Sequence, residues 1–346
     1  MTELSSTVEE LTVPTTATPM DGNQQTTGSS MASSSARGLD FYYQSVVVII
    51  GTVGTAANAL ILYAMVVSKQ HKKYALIFNQ NLFDLVNCFF LAAKYAARLS
   101  NIDLNGTHGY WLCITILSAG PSWGPFMGSL INLEVITIER YLQIVHTIWS
   151  RKWLRKWMIY AAIGFAWISG ITVAVALSVV NTSVVKGVCF TEIFPNNYTI
   201  RMAFGICFFL SFYVIILFIF IFCYTRILIV VRRQAQVMAA YANDGSNTAQ
   251  TGPNQMQSSV IKTMILVSIL FAITWTPAYI DYLAYNVDPK LAMPEIGFYT
   301  SVFIGNIYTC VNPFIYATKF EPVKRILIRM IPCKKTTQPV ESIALS

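Results

Sequence analysis

Charged residues are scarce in this chain. Of its 346 residues, 12% are Asp, Glu, Lys or Arg and 55% are hydrophobic. Soluble domains carry about 25% charged residues, so this composition argues against a soluble domain and indicates a membrane protein. The formal net charge of +8 would suit a nucleic-acid-binding protein. However, the basic residues lie in short segments between apolar runs, so no nucleic-acid partner is predicted.

Histidine is equally scarce, and the usual motifs of metal and nucleophilic catalysis are missing. The three histidines, His71, His108 and His146, lie outside the apolar runs. No HExxH, CxxC, GxSxG or P-loop pattern occurs. Haem ligation, zinc chemistry and histidine-based catalysis are therefore poorly supported, and the chain is not expected to be an enzyme.

Long apolar runs dominate what is present. A bilayer core requires about 20 apolar residues per helix, and such runs occur at roughly 41–67, 76–99, 112–142, 157–180, 201–231, 260–285 and 295–318. Residues 1–40 are rich in Ser and Thr and lack the apolar core of a cleavable signal peptide, which predicts a disordered extracellular tail. We therefore predict an all-α, seven-helix membrane bundle over residues 41–318. An amphipathic helix and a cytoplasmic tail would follow over 319–346.

Three independent patterns indicate the orientation of the bundle. First, 18 of the 24 Lys and Arg residues fall on one side of the predicted spans, which marks that side as cytoplasmic. Second, the glycosylation sequons at Asn105, Asn181 and Asn197 all lie on the opposite side. Third, Cys113 and Cys189 lie on that same, oxidising side. The N-terminus is therefore predicted outside and the C-terminus inside.

Cys113 and Cys189 are also natural partners for a disulfide. The other five cysteines lie within spans or in the cytoplasmic tail. A bond between these two would tie the loop before the fifth span across the extracellular mouth of the bundle. The alternative is two free thiols.

The segment after the seventh span has a helical apolar pattern. Over Phe320–Ile331, apolar residues recur at spacings of three and four with basic residues between them, which predicts an amphipathic helix on the lipids of the inner leaflet. Cys333 follows as a candidate for palmitoylation, with an unmodified cysteine as the alternative. Hydroxyl groups in the tail could be phosphorylated and recruit arrestin; they belong to Thr336, Thr337, Ser342 and Ser346.

The third apolar run ends in the sequence Glu139-Arg140-Tyr141. An arginine at the end of an apolar helix is costly unless it is paired or reaches water. The acid directly before it favours a neutralised ion pair that could switch at the membrane face. The alternative is a stop-transfer boundary at which Arg140 extends to the interface.

Polar residues and prolines also occur inside the predicted spans. Asn58 and Asp84 lie at mid-span, and buried ionisable groups in membranes usually mark function. Pro277 and Pro313 interrupt the sixth and seventh spans, each freeing a backbone carbonyl and predicting a kink or hinge. Taken singly, each of these features could also be purely structural.

Taken in order, these residues resemble the rhodopsin-like (class A) G-protein-coupled receptors over roughly residues 41–333. The stretch NLEVITIERYLQIVHTIW is most similar to orphan receptors that have multiplied in invertebrate lineages. The matching residues are Asn58, Asp84, Cys113 with Cys189, Glu139-Arg140-Tyr141, Trp167, Tyr224, Trp275, Pro277 and Asn312-Pro313-Phe314-Ile315-Tyr316.

The resemblance implies a ligand-operated switch at the cytoplasmic face. Arg140 would pair with Glu139 at rest and be released when the sixth helix swings outward. Tyr224 and Tyr316 would then move beneath it, and a heterotrimeric G protein would bind in the opened cleft. This amounts to a population shift between two packings of the bundle.

The resemblance also assigns roles to other residues. Trp275, above Pro277, would couple the ligand cavity to the outward swing of the sixth helix. Ile148 matches an apolar residue that docks on the G protein. Asp84, with Ser129 and Asn312 as expected neighbours, matches a pocket for a sodium ion that favours the resting state.

The chain departs from the family pattern in its third and fifth spans. Arg140 follows Cys113 by 27 positions, two more than is usual in the family. This interval contains Gly120-Pro121 and Gly124-Pro125, so a bulge or kink is predicted in the upper third helix. The fifth span lacks its usual proline.

Two ligand classes are disfavoured by missing residues. Amine receptors need a carboxylate in the upper third helix, and Cys113–Leu133 contains no Asp or Glu. Opsins need a lysine in the middle of the seventh span, and Glu295–Thr318 contains none. A peptide or another non-amine ligand is favoured. The candidate contacts around the mouth are Lys94, Arg98, Trp123, Tyr279, Asp281, Tyr282 and Tyr285.

Lys94 could hold a carboxylate of that ligand, and Asp281 could hold a basic residue of a peptide. For each of the two, the alternative is a charge at the rim. The expected location of the receptor is the plasma membrane.

A seven-span transporter or channel without G-protein coupling is the alternative function. The sequence of such a protein is expected to contain half-repeats with broken helices, or a line of ionisable groups at the midplane of the membrane. Only Asp84 and Glu134 qualify as midplane groups, and Glu134 has no evident partner in the sequence.

Overall fold

Helices make up most of the computed structural model, which describes residues 26–100, 102–180, 182–185, 187–191, 197–242, 251–319 and 321–330. In chain order they are α1 Thr26–Val67, α2 Ala75–Leu99, α3 Gly106–Leu112, α4 Gly120–Val145, α5 Thr147–Trp153, α6 Lys156–Val175, α7 Tyr198–Phe209, α8 Ile215–Ala242, α9 Thr251–Val287, α10 Glu295–Lys319 and α11 Glu321–Met330. The predicted spans correspond to α1, α2, α4, α6, the pair α7–α8, α9 and α10.

Five helical segments within the described residues are long and apolar enough to cross a membrane on length and composition alone. They are 41–67, 75–99, 156–180, 198–237 and 261–287. The third and seventh spans, α4 and α10, are of similar length but carry more polar residues. Because α4 packs against α2, α6 and α8 at the centre of the bundle, much of its surface contacts protein rather than lipid.

The chain divides into two compact units, residues 1–43 and 44–346. The bundle is the second unit. The first helix begins at Thr26, inside the segment 1–40 for which the sequence predicts a disordered tail. No proline occurs in residues 26–40, so this part of the chain contains no strong helix breaker. Residues 1–25 lie outside the described part of the chain.

The third span is broken near its extracellular end, which confirms the predicted bulge. A π-helical turn at Cys113–Leu117 follows α3, and Ser118 then has extended backbone angles (φ −62°, ψ 171°) before α4 starts at Gly120. Lys94 in α2 donates a hydrogen bond to the Ser118 carbonyl at 3.3 Å. The side chains of Ser118 and Ser178 are joined at 2.9 Å. The Lys94 bond thus satisfies a backbone carbonyl that the break leaves outside the helical ladder.

Below this break, α4 and α6 cross with their backbones in contact. A Cβ atom on Gly124 would lie 2.7 Å from the carbonyl oxygen of Gly170, and a Cβ on Gly170 would lie 2.7 Å from the carbonyl oxygen of Gly124. The two glycines are therefore required by the close approach of the two spans.

The fifth span contains a π-helical turn at Leu210–Val214, between α7 and α8, although it has no proline there. The turn carries Tyr213, whose hydroxyl is paired with the Thr276 hydroxyl at 2.5 Å. A bulge thus exists in this span without the residue that would have signalled it in the sequence.

An antiparallel hairpin precedes the fifth span, formed by β1 Thr182–Val185 and β2 Val188–Thr191. Gly187 in its turn has φ +75°, a conformation that favours glycine. The structure contains the predicted disulfide between Cys113 and Cys189. The hairpin is therefore fastened to the extracellular end of the third span.

The short helix after the seventh span is also present as α11, Glu321–Met330. Its residue Val323 is completely buried. This agrees with one apolar face packing inward and the basic residues lying on the other.

Candidate functional site

A continuous chain of hydrogen bonds joins three spans in the middle of the bundle. The Trp167 indole N–H donates to Asn79 Oδ1 at 2.9 Å, and Asn79 Nδ2 donates to Asn132 Oδ1 at 2.9 Å. Asn132 Nδ2 then donates to Gln80 Oε1 at 2.7 Å. Gln80 Nε2 donates to Ser129 Oγ at 2.5 Å. Each buried amide is thereby paired, as an interior of low polarity requires.

This chain ends at the Asp84 carboxylate, which is fully buried. Ser129 donates to Asp84 Oδ1 at 3.0 Å, and Asn312 in α10 donates to Asp84 Oδ2 at 2.9 Å. The three residues expected to lie together from the family resemblance are thus in contact. Asn312 Oδ1 is buried and has no hydrogen-bond partner within the described residues.

The groups around Asp84 suit a hard cation. A carboxylate, a hydroxyl and an amide oxygen are oxygen ligands of the kind that such ions prefer. The unpaired Asn312 Oδ1 is an acceptor that a cation would satisfy. The residues therefore fit a sodium ion.

At the cytoplasmic end of α4, Glu139 and Arg140 form an ion pair, with Arg140 Nη2 lying 3.1 Å from Glu139 Oε2. Gln143 bridges both partners. Its Nε2 donates to Glu139 Oε1 at 2.9 Å, and its Oε1 accepts from Arg140 Nη1 at 3.1 Å. Because Gln143 lies one helical turn beyond Glu139, it can hold both side chains in this paired arrangement.

The two tyrosines expected to act under Arg140 lie elsewhere in this arrangement. The Tyr224 hydroxyl pairs with Thr137 at 3.0 Å and accepts from Ser268 at 3.2 Å. Tyr316 is completely buried, and its hydroxyl has no partner within the part of the chain that the structure describes. The structure thus has the paired Glu139–Arg140 arrangement with Tyr224 bonded to the third and sixth spans.

An aromatic cluster surrounds Trp275, which lies in the extracellular half of α9. The Trp275 ring lies 4.1 Å from that of Phe126 and 6.3 Å from that of Trp123, between ring centroids. Tyr279 stacks on Tyr213 at 4.8 Å. Phe208 packs against both Tyr279 and Tyr282.

A glycine of the seventh span lies directly against this cluster. A Cβ atom on Gly305 would lie 3.1 Å from the Trp275 ring, so the indole lies against bare backbone of α10. Pro277, two residues further along α9, lies inside this helix. The indole is thus placed between the third and seventh spans, beside the proline of the sixth.

The charged candidates for ligand binding are already engaged within the protein. Lys94 bonds to the Ser118 carbonyl. Asp281 is buried and accepts from the backbone N–H of Met293 at 2.6 Å, so it anchors the loop after α9. Arg98 is exposed and lies over the ring of Tyr95, 5.5 Å from its centroid. Sequence reasoning could not see these partners, because two of them are backbone groups.

One apolar cavity lies between the second, third and fourth spans, on the outside of the bundle. It has a volume of about 460 Å³ and is lined by apolar residues of the second, third and fourth spans, among them Phe83, Pro121 and Ile171. Ile171 is exposed, so this cavity opens toward the lipid.

The remaining predicted sites are on the surface or outside the described residues. Ile148 in α5 is 86% exposed, which leaves it accessible to a partner. Asn105 and Asn197 are exposed. Asn181, Cys333 and the tail hydroxyls lie outside the described part of the chain.

Sequence reasoning missed several members of the site. Gln80, Asn79, Asn132 and Gln143 were not singled out. Three polar residues in α2, Asn79, Gln80 and Asp84, lie at positions that share its buried side, and this crowding in an apolar span was the available signal.

Comparisons with known proteins agree with this arrangement. The family described as "7 transmembrane receptor (rhodopsin family)" matches residues 57–316. The melatonin receptor type 1A of Gallus gallus is 26% identical over 76% of this chain and 72% of its own length. The melanopsin of Podarcis siculus is 25% identical over 84% of this chain and 61% of its own. Squid rhodopsin has the same fold with a TM-score of 0.68 at 18% identity, covering 85% of this chain and 86% of its own.

Proposed function

The chain belongs to the rhodopsin family of seven-transmembrane receptors, and from this premise we propose that it couples an extracellular ligand to a heterotrimeric G protein at the plasma membrane. The observation that carries the proposal is the Glu139–Arg140 ion pair, bridged by Gln143 at the cytoplasmic end of the central helix. A receptor needs such a two-state element at the face where its partner binds. A transporter has no need of it.

The mechanism is a shift between two packings of the bundle. At rest, Glu139 and Gln143 hold Arg140, while Tyr224 bonds to Thr137 and Ser268. Ligand binding displaces Trp275, and α9 pivots outward at Pro277, where its helical ladder lacks one N–H donor. Tyr224 then loses its bond to Ser268, because that residue moves with α9.

The same movement opens the cytoplasmic face. Release of Arg140 from Glu139 leaves a cation at the floor of a new cleft, and Tyr224 and Tyr316 supply hydroxyls beside it. The C-terminal helix of the G protein would occupy this cleft. Ile148, exposed on α5, would contact the outside of the G protein. Phosphorylated hydroxyls in the tail would recruit arrestin.

The ligand site is the aromatic cluster around Trp275. Two donors in it, Trp275 Nε1 and Tyr279 Oη, are buried without a hydrogen-bond partner among the described residues. Buried donors of this kind are costly unless something bonds to them. We infer a non-amine ligand with an aromatic or apolar body and hydrogen-bond acceptors, because Lys94 and Asp281 are occupied. Melatonin, named for one relative, is the first compound to screen.

Asp84 would hold a sodium ion together with Ser129 and Asn312. When bound, the ion would supply a positive charge that links α2, α4 and α10 and favours the resting packing. Asn312 is part of the segment that ends in Tyr316, so its attachment to Asp84 restrains the cytoplasmic end of α10.

The test of this function is nucleotide exchange on a panel of G proteins in membranes from cells that express the chain. Arg140→Ala is expected to lower nucleotide exchange to the level measured in cells that do not express the chain. Arg226→Ala, an exposed arginine of the fifth span, is the control for loss of one positive charge. Exchange that persists in Arg140→Ala at equal surface expression would contradict the proposed switch.

A further inference from the structure

Two thiols that the receptor mechanism does not use lie together in the bundle interior. Cys88 in α2 and Cys310 in α10 have their sulfur atoms 3.6 Å apart, and both side chains are buried. They are separated by 222 residues in the sequence, so only the packing of the second span against the seventh brings them into contact. Their separation corresponds to van der Waals contact between sulfurs.

The surroundings of the thiols explain how they can approach. Gly54 in α1 faces them both, and a Cβ atom there would lie 2.7 Å from Cys88 Sγ and 2.8 Å from Cys310 Sγ. Polar groups also border the pair. The Cys88 thiol lies 3.8 Å from Thr309 Oγ1 and 4.0 Å from Asn58 Nδ2. The thiols therefore occupy a space that a glycine leaves open, next to polar groups.

We propose that Cys88 and Cys310 form a peroxide-sensitive dithiol, which closes to a disulfide that joins the second and seventh spans. A disulfide has an S–S length of about 2.05 Å, so the sulfurs must approach by about 1.5 Å. A peroxide small enough to enter the bundle is the oxidant. Of the free cysteines among the described residues, Cys88 and Cys310 are in contact, Cys207 is exposed and Cys223 is buried.

The reaction balances with hydrogen peroxide alone. One thiol loses its proton, and its sulfur attacks a peroxide oxygen, which breaks the O–O bond and releases hydroxide that becomes water. The resulting sulfenic acid is attacked by the second sulfur, an S–S bond forms, and the sulfenic oxygen leaves with two protons as a second water. Two thiols are oxidised, and one peroxide is reduced to two waters.

The position of the bond gives it a consequence for signalling, and this part rests on the proposed function. Cys88 lies one helical turn after Asp84, and Cys310 lies two residues before Asn312, so the bond would form beside the Asp84–Asn312 contact. It would fix α10 against α2 with that contact made. Oxidation is therefore expected to hold the resting packing and to lower G-protein activation.

The chemical test uses the full chain in membranes, in a Cys207→Ser, Cys223→Ser, Cys333→Ser background that leaves the two thiols and the Cys113–Cys189 bond. After brief treatment with hydrogen peroxide, we expect neither thiol to react with an alkylating reagent in denaturant. Both should react again after reduction. Digestion without reductant should yield a peptide that bridges Cys88 and Cys310. Sulfinic or unchanged cysteines, with no bridging peptide, would overturn the proposal.

Three variants separate geometry from loss of a thiol. Cys88→Ser and Cys310→Ser should give no bridging peptide. Gly54→Ala keeps both thiols but places a methyl group against both sulfur atoms, which must shift, and it is expected to reduce bridge formation several-fold. Equal bridging in Gly54→Ala would mean that bridge formation does not depend on the packed arrangement of the two thiols, which would also overturn the proposal.

Nucleotide exchange measured on the same samples tests the consequence. Basal exchange should fall on oxidation in the two-thiol background and stay constant in Cys88→Ser. A mapped bridge without any change in exchange would refute the link to signalling and leave the dithiol site standing. If the chain shows no exchange in any state, the proposed function fails, while the peptide map still decides the chemistry.

Discussion

Gln143 is the residue whose role follows most directly from its contacts. It is the only side chain bonded to both Glu139 and Arg140 among the described residues. Hydrogen bonds to charged groups contribute about 1.5–3 kcal/mol when buried, and less at this partly exposed helix end. Removing these hydrogen bonds should raise the free energy of the resting state relative to that of the active state.

We therefore expect Gln143→Ala to raise basal nucleotide exchange. A shift of about 1 kcal/mol corresponds to roughly a fivefold change in the ratio of the two states. Gln70→Ala, in the first cytoplasmic turn, is the matched control and should leave exchange unchanged. Basal exchange in Gln143→Ala at or below the wild-type level would mean that this residue does not hold the ion pair.

Asp84 carries the charge on which cation binding depends. In the wild type, replacing potassium by sodium should lower basal exchange and raise the thermal stability of the purified receptor, because a ligand of the resting state stabilises that state. Asp84→Asn keeps similar size and hydrogen-bonding groups but removes the charge. Both sodium effects should disappear in it, and a sodium-dependent stability that survives the substitution would place the ion elsewhere.

At the scale of helices, the crossing of the third and fourth spans depends on Gly124 and Gly170. Gly170→Ala would push a methyl group against the Gly124 carbonyl, and overpacking of this kind costs about 1–3 kcal/mol. We expect a lower thermal unfolding midpoint in detergent and lower surface expression. Gly164→Ala, in the same helix with open space around its Cα, should be neutral or slightly stabilising. Equal effects of the two substitutions would argue against backbone contact at the crossing.

The elements themselves were largely predictable, and their contacts were not. Length and hydropathy predicted every span, because a helix in lipid must satisfy its own backbone. The two Gly-Pro pairs predicted a break in the third span, but its location at Ser118 depends on Lys94 and Ser178. The π-helical turn at Leu210–Val214 had no signal, since its usual proline is missing. Asn132 and Cys310 meet partners more than 50 residues away, and only tertiary packing selects those partners.

At the scale of the whole molecule, the orientation of the bundle decides which face an extracellular ligand can bind. The exposed residues Asn105 and Asn197 lie on the side of the disulfide, as an extracellular face requires. Asn105→Gln and Asn197→Gln should each remove one glycan, seen as a stepwise gain in electrophoretic mobility that disappears after enzymatic deglycosylation. Unchanged mobility of both variants would be incompatible with an extracellular N-terminus.

The hydrogen-bond chain from Trp167 to Asp84 has a single direction, because every donor in it points toward the carboxylate. An ionised carboxylate can only accept, so Ser129 donates to it, while the orientation of the Asn132 amide is fixed by a backbone group as well, because its Nδ2 also donates to the Leu76 carbonyl at 3.0 Å. Trp167 lies half-buried in the fourth span, stacked on Phe83 at 4.2 Å. A half-buried indole of the fourth span is therefore joined to the buried carboxylate of the second span by polar groups alone.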